Sequence, residues 1–555
     1  MSEKKDDLLI MPLGGLEQIG ANCTMIGNNK EWIIADLGIA FYDKCGIEVL
    51  TPDISYPLSV KDKIKGIFIT HAHEDHIGAI PYVWPKLQCP IYVTEFPAAV
   101  LKQKLKDYPW QDDVQINIIK SGKINKVGKF YIEYVKLSHS ILGACGIYIK
   151  TKSGNIFHTG DWKIDESPLL GDKVDKNRLK AIGEEGVDCL LCDSTNILTE
   201  EDAGSESDVK VALKRVIMQY PNKRITVTCF ASNVARMETV FNVAKSVGRK
   251  VAIIGRSMYK MIDAVSDTTY FSTKFKNAIS TIISDDEASS MPPSKVLLIC
   301  TGSQGEARSA LFRLSRGENR TIKLGKNDVV LFSSKVIPGN ELDIREMQNS
   351  LVKQGVEIVT TDTEDDIHVS GHPNKKDIKN MYEWLKPKSL IPIHGDARML
   401  YAHEKFAREI GIPETLIAQS GDIVSVLNGQ LKIIDHKDVI FNAVDGSDLI
   451  PINSKAIRER TIMSYSGFVS VSFNLSEDNT MLTPPDILIF GIYLDEDVTH
   501  KLKNIMHQMI KNEVLKYNND ISSIKSESIN SIKNLIFRHF EKKPLVAVHI
   551  YKEGD

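Results

Sequence analysis

The segment HAHEDH, at 71–76, places three histidines and two acidic residues directly after the apolar run IKGIFIT. Side chains two residues apart on an extended loop point the same way, and the residues that follow begin the next turn. Polar groups gathered at the end of a buried strand cost free energy unless something organises them, and a divalent metal ion does so. A single histidine here would indicate an ordinary polar turn, but this density predicts metal ligands. The candidates are His71, His73, Asp75 and His76.

Residues that complete a two-metal site recur at the ends of later strand-like runs. His139 follows FYIEYVKLS, Asp161 follows GNIFHTG, and His394 follows LIPI. A carboxylate such as Asp161 can bridge two ions, which lie roughly 3.5–4 Å apart in two-metal hydrolases. We therefore expect two divalent ions per chain. Zinc is the first expectation, with Mn²⁺ or Mg²⁺ as alternatives for such nitrogen and oxygen ligands.

The hydrophobic pattern divides the 555 residues into several domains. Short β-rich runs come first, and amphipathic helices then alternate with apolar strands, which is typical of an α/β unit with a parallel sheet. Strands that end in candidate ligands return afterwards, so the outer domain is interrupted by an insertion. The predicted divisions are 1–204 and 355–450 for the outer domain, 205–354 for the insertion, and 451–555 for a linker and a small α+β assembly domain.

Composition predicts a soluble, cytoplasmic protein. Hydrophobic residues make up 42% and charged residues 25%, and no apolar run approaches the ~20 residues that span a bilayer. The N-terminus MSEKKDDLLI lacks the apolar core of a signal peptide. The eight cysteines are scattered, and Cys189 and Cys192 lack the second pair of a zinc knuckle, so reduced thiols are expected. A net charge of −3 does not by itself indicate a nucleic-acid binder.

Taken in order, the HxHxDH segment and the later His139, Asp161 and His394 resemble the metallo-β-lactamase superfamily. This resemblance implies an αββα sandwich with the metal ions at one edge. The superfamily hydrolyses lactams, thioesters, glutathione esters and nucleic acids, so it does not fix the substrate.

Three further motifs resemble motifs A, B and C of the β-CASP nucleases: LLCDSTN (190–196), IHVSGHPN (367–374) and IPIHGD (391–396). The segment between the first two corresponds to the inserted domain of that family. FASNVARM, GRSM, TGSQGEARSAL and IPGNE resemble the bacterial ribonuclease J family in particular. Departures, such as HPN after Ser-Gly and HGD for the commoner HGE, remove no candidate ligand. The whole chain is therefore predicted to be an αββα sandwich with an inserted β-CASP domain and a small C-terminal α+β domain.

The resemblance and the residue types together imply a ribonuclease in which water, activated by two metal ions, attacks phosphorus. The 2′-hydroxyl then takes no part, and the products carry 5′-phosphates. Asp75, Asp193 and His372 are the candidate catalytic residues. His372 would protonate the leaving 3′-oxygen as general acid, and Asp193 would hold its imidazole in the charged form.

The resemblance further implies a pocket for the 5′-monophosphate of RNA, which would permit 5′-to-3′ exonuclease action beside endonuclease action. Hydroxyl, amide and backbone donors suit a phosphate cradle, although turn and cap roles are the alternative for each residue. The candidates are Ser232, Asn233, Val234, His368, Val369, Ser370, Gly371 and His372.

Three other functions stay open from the sequence. A DNA-processing β-CASP nuclease would use the same chemistry, and a small-molecule metallohydrolase would explain HAHEDH without the insertion. A non-catalytic assembly subunit would be expected to lack ligands. The expected partners are RNA, a homodimer or homotetramer formed through the C-terminal domain, and an RNA-decay complex that acts in RNA maturation and decay. No membrane partner is expected.

Overall fold

The computed structural model describes residues 8–200, 204–337, 339–478, 480–517 and 520–553. Two parts of the sequence patterns named in the sequence analysis lie outside the described residues: the first seven residues and Pro338 of IPGNE. The chain forms two compact units, Met1–Phe41 with Leu50–Val439, and Tyr42–Val49 with Ile440–Asp555. Among the helices that are described, none has the length and apolar character needed to cross a membrane.

The first unit contains an eight-stranded sheet that carries the HAHEDH loop. One half of this sheet is antiparallel, and the half that starts at Glu31–Ala35 continues with parallel neighbours. In spatial order its strands are Gln430–His436, Asp422–Leu427, Leu8–Gly14, Cys23–Asn28, Glu31–Ala35, Ile64–Phe68, Ile91–Val93 and Ile116–Ile118.

A seven-stranded sheet faces the first one. It is antiparallel up to Asn155–His158 and parallel from there onwards. In spatial order its strands are Ile124–Val127, Phe130–Lys136, Cys145–Lys150, Asn155–His158, Cys189–Asp193, Ser389–Ile393 and Glu414–Thr415.

Apolar side chains from both sheets form the core between them, including Ile10 and Ile26 from the first sheet and Ile147 from the second. A further cluster joins the other face of the seven-stranded sheet to helices through residues such as Leu179 and Met381. The predicted αββα sandwich is confirmed. The helices of this sandwich are Ser55–Ser59, Glu74–Ile77, Ile80–Leu87, Glu95–Leu105, Lys176–Glu185, Lys375–Leu385 and Ala397–Glu409, with 3-10 turns at Lys61–Lys63 and Gln111–Asp113.

The insertion is built on a six-stranded sheet in which each described strand pair is parallel, as its helix and strand alternation predicts. Its strands, in spatial order, are Ile282–Ile283, Lys250–Ile254, Val296–Cys300, Arg224–Thr228, Asp328–Phe332 and Glu357–Val359. Its helices are Glu206–Gln219, Val234–Ser246, Arg256–Ser266, Thr273–Ile279, Asp285–Ser290, Ala310–Ser315 and Glu341–Lys353, with a 3-10 turn at Pro293–Lys295.

The chain leaves the sandwich for the insertion and returns to a neighbouring strand of the same sheet. Cys189–Asp193 pairs in parallel with Ser389–Ile393, and Asp193 lies opposite Ile393. The residues that follow these two strands, DSTN and HGD, therefore come together at one sheet edge. A two-stranded ladder, Leu16–Glu17 with Gly395–Asp396, holds the chain directly after His394.

The second unit contains a three-stranded sheet covered by helices. Along Phe468–Leu475, Val469, Val471 and Phe473 are buried while the serines between them face the other way, as the two-residue period of a strand requires. Its strands are Asp486–Phe490, Phe468–Leu475 and Leu545–Lys552, and its helices are Lys455–Ser466, Glu496–Lys516 and Ile521–Phe540. A four-stranded sheet comprises Asp448–Pro451, Asn442–Asp445, Ile47–Thr51 and Ala40–Lys44.

Candidate metal centre

The HAHEDH loop is held from behind by the segment 36–39. Leu37 N–H donates to the His76 carbonyl at 2.8 Å, and Ile39 N–H donates to the Glu74 carbonyl at 3.1 Å. A Cβ atom on Gly38 would lie 1.6 Å from the Asp75 carbonyl oxygen. Only glycine therefore allows the two segments to approach this closely.

One group of donor atoms comes from three histidines and Asp161. The Nδ1 atom of His73 lies 3.0 Å from Nε2 of His71 and 3.0 Å from Nε2 of His139. Asp161 Oδ2 lies 3.7 Å from His71 Nε2. One ligand atom from each of the four residues falls within 4.8 Å of the others, which is the spacing of ligands around a single ion.

A second group of donors shares Asp161 with the first. His76 Nε2 lies 3.2 Å from Asp161 Oδ2, and His394 Nε2 lies 3.2 Å from Asp75 Oδ2. These four residues also offer atoms within 4.8 Å of one another. The seven residues predicted as ligands therefore form two adjoining clusters with one carboxylate in common.

The residues present fit a pair of divalent ions. Asp161 is buried, and its Oδ1 atom has no hydrogen-bond partner among the described residues. Burial, reinforced by His76, lowers the pKa of His71 well below its usual value, and burial with His73 does the same for His139. Neutral imidazoles are the form that binds metal ions, and imidazole with carboxylate suits zinc or manganese.

Asp36 is a component of the site that the sequence analysis missed. Its Oδ2 atom lies 2.8 Å from His76 Nδ1 and accepts a 2.9 Å hydrogen bond from the Thr70 hydroxyl. A carboxylate on one imidazole nitrogen fixes the ring and leaves the other nitrogen for a metal ion. Asp36 lies 40 residues before His76, so no local spacing links it to HAHEDH.

The proposed general acid lies beside both clusters. His372 Nδ1 lies 2.8 Å from Oδ2 of the fully buried Asp193, whose Oδ1 accepts hydrogen bonds from the Thr195 N–H and hydroxyl. Burial alone would lower the pKa of His372, but Asp193 and two further carboxylates raise it to about 9. His372 is also 3.9 Å from Asp161 Oδ2, and a third donor group of Asp161, Asp193, His372 and His394 overlaps the others.

The candidate phosphate residues divide into two segments. His368, Val369, Ser370 and Gly371 precede His372 on the loop before Lys375–Leu385, and this loop reaches the metal centre through Gly371 and His372. His368 Nδ1 is buried without a hydrogen-bond partner among the described residues, and burial lowers the pKa of His368 to about 3.

The second segment, Ser232–Val234, begins the helix Val234–Ser246. Asn233 caps this helix, since its Oδ1 accepts from the Arg236 N–H at 2.9 Å and its Nδ2 donates to Glu206 Oε1 at 3.3 Å. The amide therefore already makes two internal hydrogen bonds. Its role toward phosphate stays a prediction, and the cap role suggested as the alternative is present.

A buried ion pair that the sequence analysis missed connects the two segments. Arg236, which is 0% exposed, donates to Glu206 at 2.9 and 3.0 Å and to the Ser333 hydroxyl at 2.6 Å. Its guanidinium also reaches the Ile367 carbonyl at 3.5 Å, directly before His368. The only sequence signal for this pair is the arginine of FASNVARM.

Four family models match successive parts of the chain. The metallo-beta-lactamase superfamily matches residues 17–179, and the ribonuclease J beta-CASP domain matches residues 222–351. The Zn-dependent metallo-hydrolase RNA specificity domain matches 359–415, and the ribonuclease J C-terminal domain matches 455–553.

Ribonuclease J of Sinorhizobium meliloti is 34% identical over 557 residues, which cover 99% of this chain and 98% of the relative. The chain belongs to the ribonuclease J family. Ribonuclease J 1 of Streptococcus pyogenes is 33% identical, with 98% of each chain covered. Ribonuclease J of Helicobacter pylori strain B128 is 33% identical over 99% of this chain and 80% of its own length.

A crystal structure of a protein of unknown function from Enterococcus faecalis V583 resembles 76% of this chain, with a TM-score of 0.54 and 16% identity over the whole of that chain. At this identity the likeness concerns the fold alone. Membership of the ribonuclease J family, with its metallo-β-lactamase and β-CASP domains, makes the protein a metal-dependent ribonuclease.

Proposed function

We propose that this ribonuclease hydrolyses RNA with two metal ions, which two donor groups with Asp161 in common would hold. The observation that carries the proposal is the pair of four-residue donor clusters with this one buried carboxylate in common. The proposed ligands are His71, His73, Asp75, His76, His139, Asp161 and His394. When bound, two such ions lower the pKa of water and offset the negative charge that develops on the phosphoryl group.

The side chains of the protein would provide the remaining steps. The 2.8 Å contact of His372 Nδ1 with Asp193 leaves Nε2 as the nitrogen that can protonate the leaving 3′-oxygen. Asp193 favours the charged imidazole by a charge-assisted hydrogen bond, and Thr195 orients that carboxylate. Asp36 holds His76 through Nδ1, while the other ring nitrogen, Nε2, faces Asp161. Cleavage in this way leaves a 5′-phosphate and a 3′-hydroxyl.

The loop His368–His372 would both bind the 5′ end of the substrate and supply the proton for the leaving 3′-oxygen. Because the proposed cradle adjoins the general acid, an RNA whose 5′-monophosphate is held there presents its first phosphodiester bonds to the metal ions. This arrangement supports 5′-to-3′ exonuclease action on monophosphorylated ends. An RNA that binds the metal centre while the cradle is empty would be cut internally.

Further properties belong to the same proposal. We propose zinc as the resident metal, action in RNA maturation and decay in the cytoplasm, and assembly as a homodimer or homotetramer through residues 451–555. Membership of an RNA-decay complex and the domain divisions after residues 204 and 450 are proposed on the sequence pattern. The division predicted after residue 354 lies too early, because the strand Glu357–Val359 pairs with Asp328–Phe332 in the sheet of the insertion.

The test uses one RNA sequence in three forms: 5′-monophosphate, 5′-triphosphate and circular. We expect faster shortening of the monophosphate form than of the triphosphate form, slower internal cleavage of the circle, and about two metal ions per chain by elemental analysis. Equal exonuclease rates on both linear forms would contradict the proposal that these residues form a pocket for a 5′-monophosphate. A single-stranded DNA of the same sequence, cut as fast as RNA, would favour the DNA-processing alternative.

A further inference from the structure

Asn196, the last residue of DSTN, lies between the proposed phosphate cradle and the proposed general acid. Its Nδ2 atom is 2.6 Å from the Ser370 hydroxyl oxygen and 3.2 Å from the His372 carbonyl oxygen. It follows the strand Cys189–Asp193, so the sheet edge that carries Asp193 also fixes the position of this amide.

The orientation of the Asn196 amide follows from its partners. A backbone carbonyl can only accept a hydrogen bond, so the atom facing His372 O must be the amide nitrogen. That same nitrogen faces Ser370, and an amide nitrogen only donates. The Ser370 oxygen is therefore an acceptor in this contact.

The proton of the Ser370 hydroxyl is then directed elsewhere. A serine hydroxyl has two acceptor positions and one proton to donate. Asn196 fills one acceptor position, and the His372 N–H fills the other at 3.2 Å. The described residues provide no acceptor for the remaining proton, which is consequently available to a ligand in the cradle.

We propose that Asn196 is a positioning residue: its amide donates to Ser370 and cannot accept the Ser370 proton, which therefore stays available for an RNA 5′-monophosphate. The proposal rests on the proposed function of the cradle. The second hydrogen bond of Asn196, to the His372 carbonyl, fixes the position of the loop that carries the general acid. Asn196 thereby couples recognition of the RNA end to the cleavage step without touching the substrate.

Two substitutions at this position have different expected effects. In Asn196→Asp, a carboxylate oxygen replaces the amide nitrogen 2.6 Å from Ser370 and captures its proton. In Asn196→Ala, the hydrogen bond is lost but the proton stays free. Both variants lose the bond to the His372 carbonyl, so internal cleavage should weaken in both, and more in Asn196→Asp, whose carboxylate faces that carbonyl oxygen. The aspartate variant alone removes the phosphate donor.

The experiment compares kcat/KM for 5′-monophosphate and 5′-hydroxyl RNA of one sequence, with circular RNA as the end-independent substrate. Asn196→Asp should lower the monophosphate-to-hydroxyl ratio roughly tenfold, as the loss of one buried donor does. Ser370→Ala should match it, and the double variant should show no further loss, because the two residues act through one proton. Asn196→Ala should retain most of the ratio. Asn177→Asp, the same exchange on an exposed helix position, should retain all of it.

Metal content and the unfolding midpoint establish that each variant is folded. A wild-type ratio in Asn196→Asp, or an equal loss in Asn196→Ala, would overturn the role of Asn196 while leaving the cradle standing. Additive losses in the double variant would also overturn it. A wild-type enzyme that shows no preference for the monophosphate would overturn the cradle and this inference together.

Discussion

His139 Nδ1 lies 2.5 Å from the carbonyl oxygen of Gly371, so a proposed metal ligand is oriented by the loop that carries the proposed general acid. The N–H on Nδ1 donates to this carbonyl, which leaves Nε2 directed at His73 and the metal centre. A Cβ atom on Gly371 would lie 2.8 Å from the Cε1 atom of His139. The metal centre and the β-CASP motif B are thus in direct contact.

Gly371→Ala should weaken metal binding in the cluster that contains His139, because the added methyl group displaces the imidazole. Loss of an orienting partner typically costs 10–100-fold in metal affinity. Titration with zinc, followed by competition with a chelator, measures this effect. Gly325→Ala is the matched control, since a Cβ there would meet nothing closer than 3.8 Å. Unchanged affinity in Gly371→Ala would contradict the coupling.

Asp161→Ala should lose both activity and one of the two metal ions, since it removes the carboxylate that both donor clusters share. Elemental analysis and RNA cleavage on the same sample measure the two effects. Asp112→Ala, at an exposed position, should keep both. Full activity with two ions in Asp161→Ala would refute the bridging assignment.

His372→Ala should keep its metal ions and lose turnover by roughly 10²–10⁴-fold, the usual contribution of a general acid. A nucleotide ester with a p-nitrophenolate leaving group needs no protonation, so the variant should cleave it at close to the wild-type rate. If the metal content falls instead, His372 is a ligand of the third donor group. An equal loss on both substrates would also argue against proton donation.

Acid should destabilise the enzyme through the buried pair of Glu206 and Arg236. Burial alone would raise the pKa of Glu206, but Arg236 and Lys163 lower it to about 2 from an ordinary 4.5. A depressed carboxyl pKa stabilises the fold above pH 4.5, and this contribution, roughly 3 kcal/mol, is lost as the pH falls toward 2. Unfolding midpoints between pH 6 and pH 3 should therefore fall less steeply in Glu206→Gln than in the wild type. Glu346→Gln, at an exposed position, should follow the wild-type curve, and an unaltered slope in Glu206→Gln would contradict the effect.

Removal of residues after 455 should change the oligomeric state without changing the metal content, because the proposed ligands lie in the first unit. Leu488 and Phe490, which are 47% and 54% exposed on the three-stranded sheet, offer a milder change. Leu488→Asp with Phe490→Asp should also shift the sedimentation coefficient. The same oligomer in both variants would refute assembly through this domain.

The sequence alone was sufficient to identify residues whose relation is local or whose type is distinctive at a strand end. The six-residue HAHEDH cluster and the strands preceding His139, Asp161 and His394 are of this kind. The parallel sheet of the insertion was predicted from the alternation of amphipathic helices with apolar strands. Asp36 was missed, because its partner His76 is brought to it only by the pairing of Glu31–Ala35 with Ile64–Phe68.

Asn196 and Arg236 were missed for a related reason. Asn196 bonds Ser370, 174 positions away, which depends on how the chain returns from the insertion to the sandwich. Arg236 bonds Glu206 and Ser333, 30 and 97 positions away, and these depend on the packing inside the insertion. His403 is a further residue to which no sequence motif points. It is fully buried, with Ser194 at 2.8 Å and Tyr382 at 2.5 Å on its two ring nitrogens, so it supports the DSTN segment from inside.

The pairing of Cys189–Asp193 with Ser389–Ile393 has a consequence for the order of events during synthesis. The HAHEDH loop leaves the ribosome early, but the strand that carries the proposed ligand His394 follows the whole insertion. Domains fold largely as units while the chain is made. A nascent copy therefore cannot complete the second donor cluster until the segment that carries His394 has emerged, so this cluster is the later of the two to assemble during synthesis.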